Sequence, residues 1–180
     1  MPMRTHTSLF VLLFSLAAVA LAAHANDNTY VYDNVGGWTI RTDGDRNYNC
    51  HAEAEFAGGS ILRVGLGSST GALDLSIGDP AWNSVEPGLA YRVEITFDDA
   101  AAWRFEAVGL ALETELDQPS VRLTIEENVK SRFTQALMQG NALAVSYEDS
   151  ELAPLSLSLA GSNRAITVLE ECQATMARID

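Results

Sequence analysis

With 180 residues, 24 acidic against 11 basic side chains and a formal net charge of −13, the chain is an acidic protein of ordinary globular length. A surface this acidic repels phosphate backbones and anionic lipid headgroups, and no Lys/Arg cluster offsets it locally, which argues against nucleic acid as a partner. A cationic protein or peptide meets no such barrier, although solubility alone also accounts for the charge.

Residues 1–25, MPMRTHTSLFVLLFSLAAVALAAHA, hold one arginine, an apolar run from Leu9 to Ala23 and then Ala23-His24-Ala25. This is the pattern of a secretory signal peptide with an A-x-A cleavage site, and the run is shorter than the roughly 20 residues a membrane-spanning helix needs. The expectation is an exported chain, periplasmic or secreted, with no membrane insertion after cleavage and no cysteine at its new N-terminus to carry a lipid. Residues 26–180 then form a single β-rich domain, and losing Arg4 takes the formal charge to −14. Its only cysteines are Cys50 and Cys172, and in an oxidising compartment such a pair closes. A structural Cys50–Cys172 disulfide is therefore expected; the spacing is not the C-x-x-C of a reactive thiol pair.

In chain order, residues 26–35 are polar and aromatic, and Gly36-Gly37 interrupts them before a short first strand, Trp38 to Arg41. A turn cluster from Thr42 to Asn49 leads into a meander. Cys50, Ala52, Ala54 and Phe56 share one face of the next strand, Leu62, Val64 and Leu66 one face of the following one, and Leu73, Leu75 and Ile77 one face of the third. Residues opposite one another in an antiparallel pair point to the same face, so a Gly58-Gly59-Ser60 loop is expected, with Phe56 opposite Leu62, Ala54 opposite Val64 and Glu55 opposite Arg63. The same test puts Leu66 opposite Leu73 across Ser68–Gly71.

The stretch from Asp79 to Leu89, DPAWNSVEPGL, carries two prolines and a tryptophan and reads as an ordered loop. Tyr91 to Phe97, Trp103 to Leu112 and Val121 to Ile125 return to alternation with one wet face. The period then changes: Val129, Phe133, Ala136 and Leu137 define an amphipathic helix over 128–139, stopped by Gly140-Asn141. Two more strands, Leu143 to Tyr147 and Leu155 to Leu159, precede a C-terminal helix near 163–177, with Ser162 as its expected N-cap and Ala165, Leu169, Cys172 and Met176 as its inner stripe. The fold class is α+β and mostly β: an antiparallel meander sheet, curved or sandwich-like, with two helices, the last tied to the meander by the disulfide.

Chemistry is sparse. Beyond the leader His51 is the sole histidine, placed on the polar face beside Cys50, so no nucleophilic triad and no zinc site assembles; no metal or cofactor is expected. Asp43-Gly44-Asp45-Arg46-Asn47 opens like a calcium loop, but its sixth position is Tyr48 and its twelfth Ala54, which removes the glycine turn and the bidentate ligand. Arg63, Arg92, Arg104 and Arg122 interleave with Glu55, Asp74, Glu94 and Glu106; an arginine row could grip an anionic ligand, but cross-strand ion pairs on a solvated face need none and are the expected reading. Asp79, Glu86, Asp98 and Asp99 are the carboxylates from which a glycosidase pair would have to be drawn. Trp38 and Trp103 keep core parity. Trp82 is therefore the one tryptophan free to meet a ligand, with Asp79, Asn83 and Glu86 beside it, although it also suits a loop staple.

Gly37-Trp38-Thr39-Ile40, Cys50 and the tail Leu157-Ser158-Leu159-Ala160-Gly161-Ser162 leading to Cys172-Gln173 resemble small exported proteobacterial proteins of the invasion-associated locus B type. The chain departs from them in having no cysteine soon after the Trp38 strand, so no functional residue carries over. The resemblance implies an envelope protein without evident catalysis. The expected function is an exported, non-catalytic binding or protein-interaction module; the alternatives are a carboxylate-dependent hydrolase of cell-wall or extracellular carbohydrate, and an inhibitor or immunity protein for a basic partner.

Overall fold

Gly36 and Gly37, at φ +60° and +86°, supply the two left-handed positions of a tight two-residue turn, so the polar aromatic stretch before them is itself a strand. β1 (Thr29–Val35) pairs antiparallel with β2 (Trp38–Asp43), and the chain continues through β3 (Cys50–Glu55), β4 (Ile61–Leu66) and β5 (Leu73–Gly78) as a meander. The remaining elements are β6 (Ala90–Phe97), β7 (Trp103–Leu110), β8 (Ser120–Ile125), α1 (Glu127–Gln139), β9 (Ala142–Glu148), β10 (Leu155–Ser158) and α2 (Ser162–Met176). This computed structural model describes residues 29–43, 49–66, 72–112, 116–148 and 151–178. The expected signal peptide, most of the calcium-like turn and the 68–71 loop lie outside the described residues.

All ten strands join one antiparallel sheet in the order β1-β2-β3-β4-β5-β8-β7-β6-β9-β10. The meander is broken twice, where β8 rather than β6 takes the place beside β5 and where β9 joins β6. One face is apolar throughout: Ile40, Ala52, Leu62, Val64, Leu75, Ile77, Leu123, Val93, Ile95 and Val145 are fully or almost fully buried. Two helices cover it. α2 packs on β2 and β3 and reaches β1 and β4, while α1 packs on α2 and β8. The α1 residue Phe133 makes edge contacts with Phe97, Trp103 and Phe105 at centroid distances of 5.1, 5.6 and 5.6 Å, an arrangement that suits aromatic quadrupoles.

Roughly 20–25° of twist between neighbours accumulates to about 180–225° over nine steps, so a sheet this wide coils. The β1–β2 turn is thereby brought to the far end of β10. Trp38 Nε1 donates to the Ala160 carbonyl at 3.1 Å, and a Cβ on Gly161 would lie 2.1 Å from the Gly36 carbonyl oxygen. Gly161 also sits at φ +82°, so backbone conformation and close approach both require glycine there.

Cys50 and Cys172 form the expected disulfide across a sequence separation of 122, and both are fully buried. Gln173 Oε1 reinforces that link by accepting the Cys50 amide at 2.9 Å.

Two local expectations are corrected. The loop between β3 and β4 is Ala57-Gly58-Gly59, closed by Phe56 N donating to Ser60 O at 2.9 Å. Ala54 therefore faces Leu62, and Glu53 rather than Glu55 faces Arg63. Both ends of the loop moved back by one residue, which changes the register by two and preserves every face. Ser162 is not an N-cap. Gly161 holds that position and the Ser162 hydroxyl donates instead to the Leu137 carbonyl at 2.7 Å, joining α2 to α1. Leu66 does stand opposite Leu73.

Candidate functional site

The Asp79–Leu89 loop follows β5 and folds over one end of the sheet. Asp79 is buried, and its carboxylate organises the turn: Oδ2 accepts the Ser60 hydroxyl at 2.6 Å and Oδ1 accepts the Ala81 amide at 2.8 Å. Trp82 is 1% exposed, donates Nε1 to the Ala153 carbonyl at 3.0 Å and packs edge-on against Tyr147 at 5.1 Å. It is the staple of the loop, and its ring is covered by the protein. Burial raises the Tyr147 hydroxyl well above the ordinary tyrosine pKa, and the Asp79 carboxylate adds to the rise.

Further along, the Tyr91 hydroxyl accepts the Glu86 amide at 2.9 Å, and Gly88 and Leu89 exchange backbone bonds with Gly109 at the end of β7. Asn83 and Glu86 are exposed. Of the four candidate residues, two are thus built into the loop and two face solvent. The other carboxylates do not gather here. Because β5 and β6 run in opposite directions, Asp98 after β6 lies at the other end of the sheet from Asp79. Its carboxylate accepts the Asn141 amide at 3.1 Å and the Ala142 amide at 3.0 Å.

The outer face of the sheet carries the charge ladder. Arg63 Nη2 meets Glu53 at 2.8 Å with Nε at 3.0 Å, Arg104 meets Glu94 at 2.6 Å, and Arg92 meets Glu148 at 3.5 Å. Arg63, Arg92 and Arg104 are thus engaged by carboxylates of the chain itself; the Arg92 and Arg104 pairs are of the exposed kind that contributes little each, while Arg63 and Glu53 are largely shielded and joined by two bonds. A dent of about 200 Å³ between Arg92, Arg104, Glu106 and Glu148 belongs to this ladder.

His51 stands opposite Arg41 and Gly65 on the outer face yet is only 5% exposed, with Nδ1 3.7 Å from the Asp43 carboxylate and Nε2 without a hydrogen-bond partner. Burial first, then the Arg63 and Arg41 guanidiniums, push its pKa down to about 3, so it is neutral near pH 7. Among the described residues no group of three or more His, Cys, Asp or Glu side chains has the disposition of a metal site. Nor, among them, is any helix long and apolar enough to cross a membrane.

Among the described residues, exposed large apolar side chains fall in two places. Leu89, Val108 and Leu112 lie at the rim beside the Asp79–Leu89 loop, and Tyr30, Val31 and Tyr32 follow one another along β1 with exposures of 60%, 52% and 38%. Among the described residues β1 is an outer strand, paired with β2 alone. Sequence reasoning passed over it because Thr29–Val35 does not alternate, although aromatic and β-branched residues before a Gly-Gly turn are a hairpin signal. The chain matches no family model, no curated protein and no solved structure.

Proposed function

We propose that this is an exported protein-interaction module without catalysis of its own, and that β1 is its contact element. The observation that carries the reading is the run Tyr30-Val31-Tyr32, three consecutive exposed large side chains on an open strand of a rigid sheet. Exposed large apolar side chains on an outer strand mark interaction sites, tyrosine is enriched in them, and such a strand offers a row of backbone donors and acceptors besides.

Two further features support it. The leader pattern and the disulfide suit an oxidising, extracytoplasmic compartment. Asp79, the buried carboxylate of the loop, is committed to structural bonds with Ser60 and Ala81, and Asp98, at the other end of the sheet, to the start of β9, so the two do not form an acid–base pair.

The test is site-specific photo-crosslinking in the exporting cell, with the crosslinking residue at position 32 and, as a control, at position 132 on the exposed side of α1. A discrete adduct from position 32 alone supports the reading. It fails if position 32 gives no adduct, or if both positions give the same ones.

A further inference from the structure

We infer that β1 receives an extended, cationic segment of another polypeptide, added to the sheet as an eleventh strand; this rests on the interaction reading above and names its partner chemistry. Three observations converge. The first is the outer side of β1, since among the described residues the sheet order ends there and strand addition is the recognition mode that such an end permits.

The second is the bulge. The register with β2 shifts between Val31 and Asp33, leaving Tyr32 as the additional residue. Beyond it the Asp33 carboxylate accepts the Asn34 amide at 2.7 Å, so the C-terminal part of β1 is closed by a local bond. A bulge bends and twists the strand that carries it, which prevents two long flat edges from pairing. What it leaves for docking is Thr29–Tyr32, long enough for a short segment and carrying the exposed side chains of Tyr30, Val31 and Tyr32.

The third is charge. The chain carries −13, and the sequence from Asn26 to Val35 has two aspartates and no lysine or arginine. A second copy of this chain would bring the same charge and the same bulge to the contact, so self-pairing is opposed twice. A lysine- or arginine-bearing strand is drawn in by the same field, with the steering weakened by salt.

The probe is a synthetic octapeptide of alternating lysine and valine, titrated against the exported form of the protein at low and physiological salt. Three controls accompany it: the glutamate-valine analogue, the lysine-valine peptide with alternate backbone nitrogens methylated, and sedimentation of the protein alone. The lysine-valine peptide is expected to bind, and the other two to bind at least about tenfold more weakly, a difference of about 1.4 kcal/mol. Val31→Lys should cost a similar factor, whereas Val108→Lys, which makes the same change of net charge at the distant rim, should alter affinity by less than about twofold.

Absence of binding by the lysine-valine peptide overturns the inference. So does equal binding by the methylated peptide, which would mean attraction without strand addition, or equal loss in Val31→Lys and Val108→Lys, which would mean a general charge effect. A dimer of the wild-type protein that Val31→Lys dissolves would make the occupant a second copy and overturn it too. The crosslinking experiment separates the two levels: an adduct from position 32 with no peptide binding retains an interaction surface on β1 and removes its cationic partner.

Discussion

Replacing both cysteines, Cys50→Ala with Cys172→Ala, tests how far the two sheet-covering helices depend on a covalent link. The bond joins β3 to α2 across a separation of 122 residues. In the chain-entropy description a loop of that length removes about 5 kcal/mol of freedom from the unfolded state. Domains of this size are held by about 5–15 kcal/mol altogether, so the loss is a large share. With a urea dependence of about 2 kcal/mol per molar, the unfolding midpoint should fall by about 2.5 M at unchanged slope. Reduction of the wild-type protein in denaturant followed by refolding under reducing conditions should give the same midpoint. Should the double variant fail to fold at all, the loss equals or exceeds the whole stability, which the estimate allows. A midpoint drop below about 1 M at unchanged slope would refute the reasoning, because it would mean that the unfolded chain is already constrained in this region or that Gln173 and the α2 stripe hold the helix unaided.

His51 has a folded pKa near 3 against an ordinary 6.5, so below about pH 6.5 the unfolded chain takes up a proton that the folded chain refuses. Its contribution to stability is complete above pH 6.5 and is lost as pH falls towards 3, at up to about 1.4 kcal/mol per pH unit; the wild-type midpoint should drop more between pH 7 and pH 5 than that of His51→Gln, and equal drops would contradict this. Gly109→Ala puts a Cβ 2.2 Å from the Glu86 carbonyl oxygen, a backbone atom of the Asp79–Leu89 loop, and should lower Tm by about 5–10 °C through about 2–3 kcal/mol of overpacking. Asp79→Ala should cost about 2–3 kcal/mol by urea unfolding and Ser60→Ala about 1, since the first leaves both a hydroxyl and an amide donor without their acceptor and the second removes one donor of two.

What could be read from the residues alone divides along a physical line. Faces were legible, because side-chain alternation is a property of each strand by itself: every core position from Cys50 to Ile77 points inward as its parity requires, apart from Phe56, which leaves the strand. Register was not, because parity fixes the sum of paired residue numbers only to odd or even, and the choice between neighbouring even sums belongs to the turn. Gly58 and Gly59, at φ +96° and +88°, take the last two places of the loop rather than the first two, and the register follows. Helices were legible from period. Ser162 was misjudged because its hydroxyl finds a buried carbonyl on α1, a tertiary partner that outcompetes a local cap. β1 escaped notice for the reason that makes it the candidate site: a strand that buries neither face leaves no alternation to read. The same holds for Trp82, whose role as a staple depends on Ala153 and Tyr147, both far along the chain.

The place of β8 in the sheet adds a functional argument. Inserting β8 beside β5 moves β6, β9 and β10 outwards, so the sheet ends in two unrelated strands. β10 is short, Leu155 to Ser158, and is preceded by Pro154, features that blunt an outer strand. β1 is longer and is held from behind. α2 reaches it, Trp38 ties its hairpin to Ala160, and the Gly36–Gly161 contact fixes the turn against the start of α2. A strand anchored at its turn has less to order when a partner arrives, and affinity lost to ordering is thereby reduced. The disulfide acts on the same feature at one remove, since it sets α2 on β2 and β3 and α2 in turn supports β1. Loss of the Cys50–Cys172 bond should therefore weaken capture of the lysine-valine peptide even under conditions where the sheet remains folded, and retention of full affinity in a folded double-alanine variant would show that β1 is held by the hairpin contacts alone.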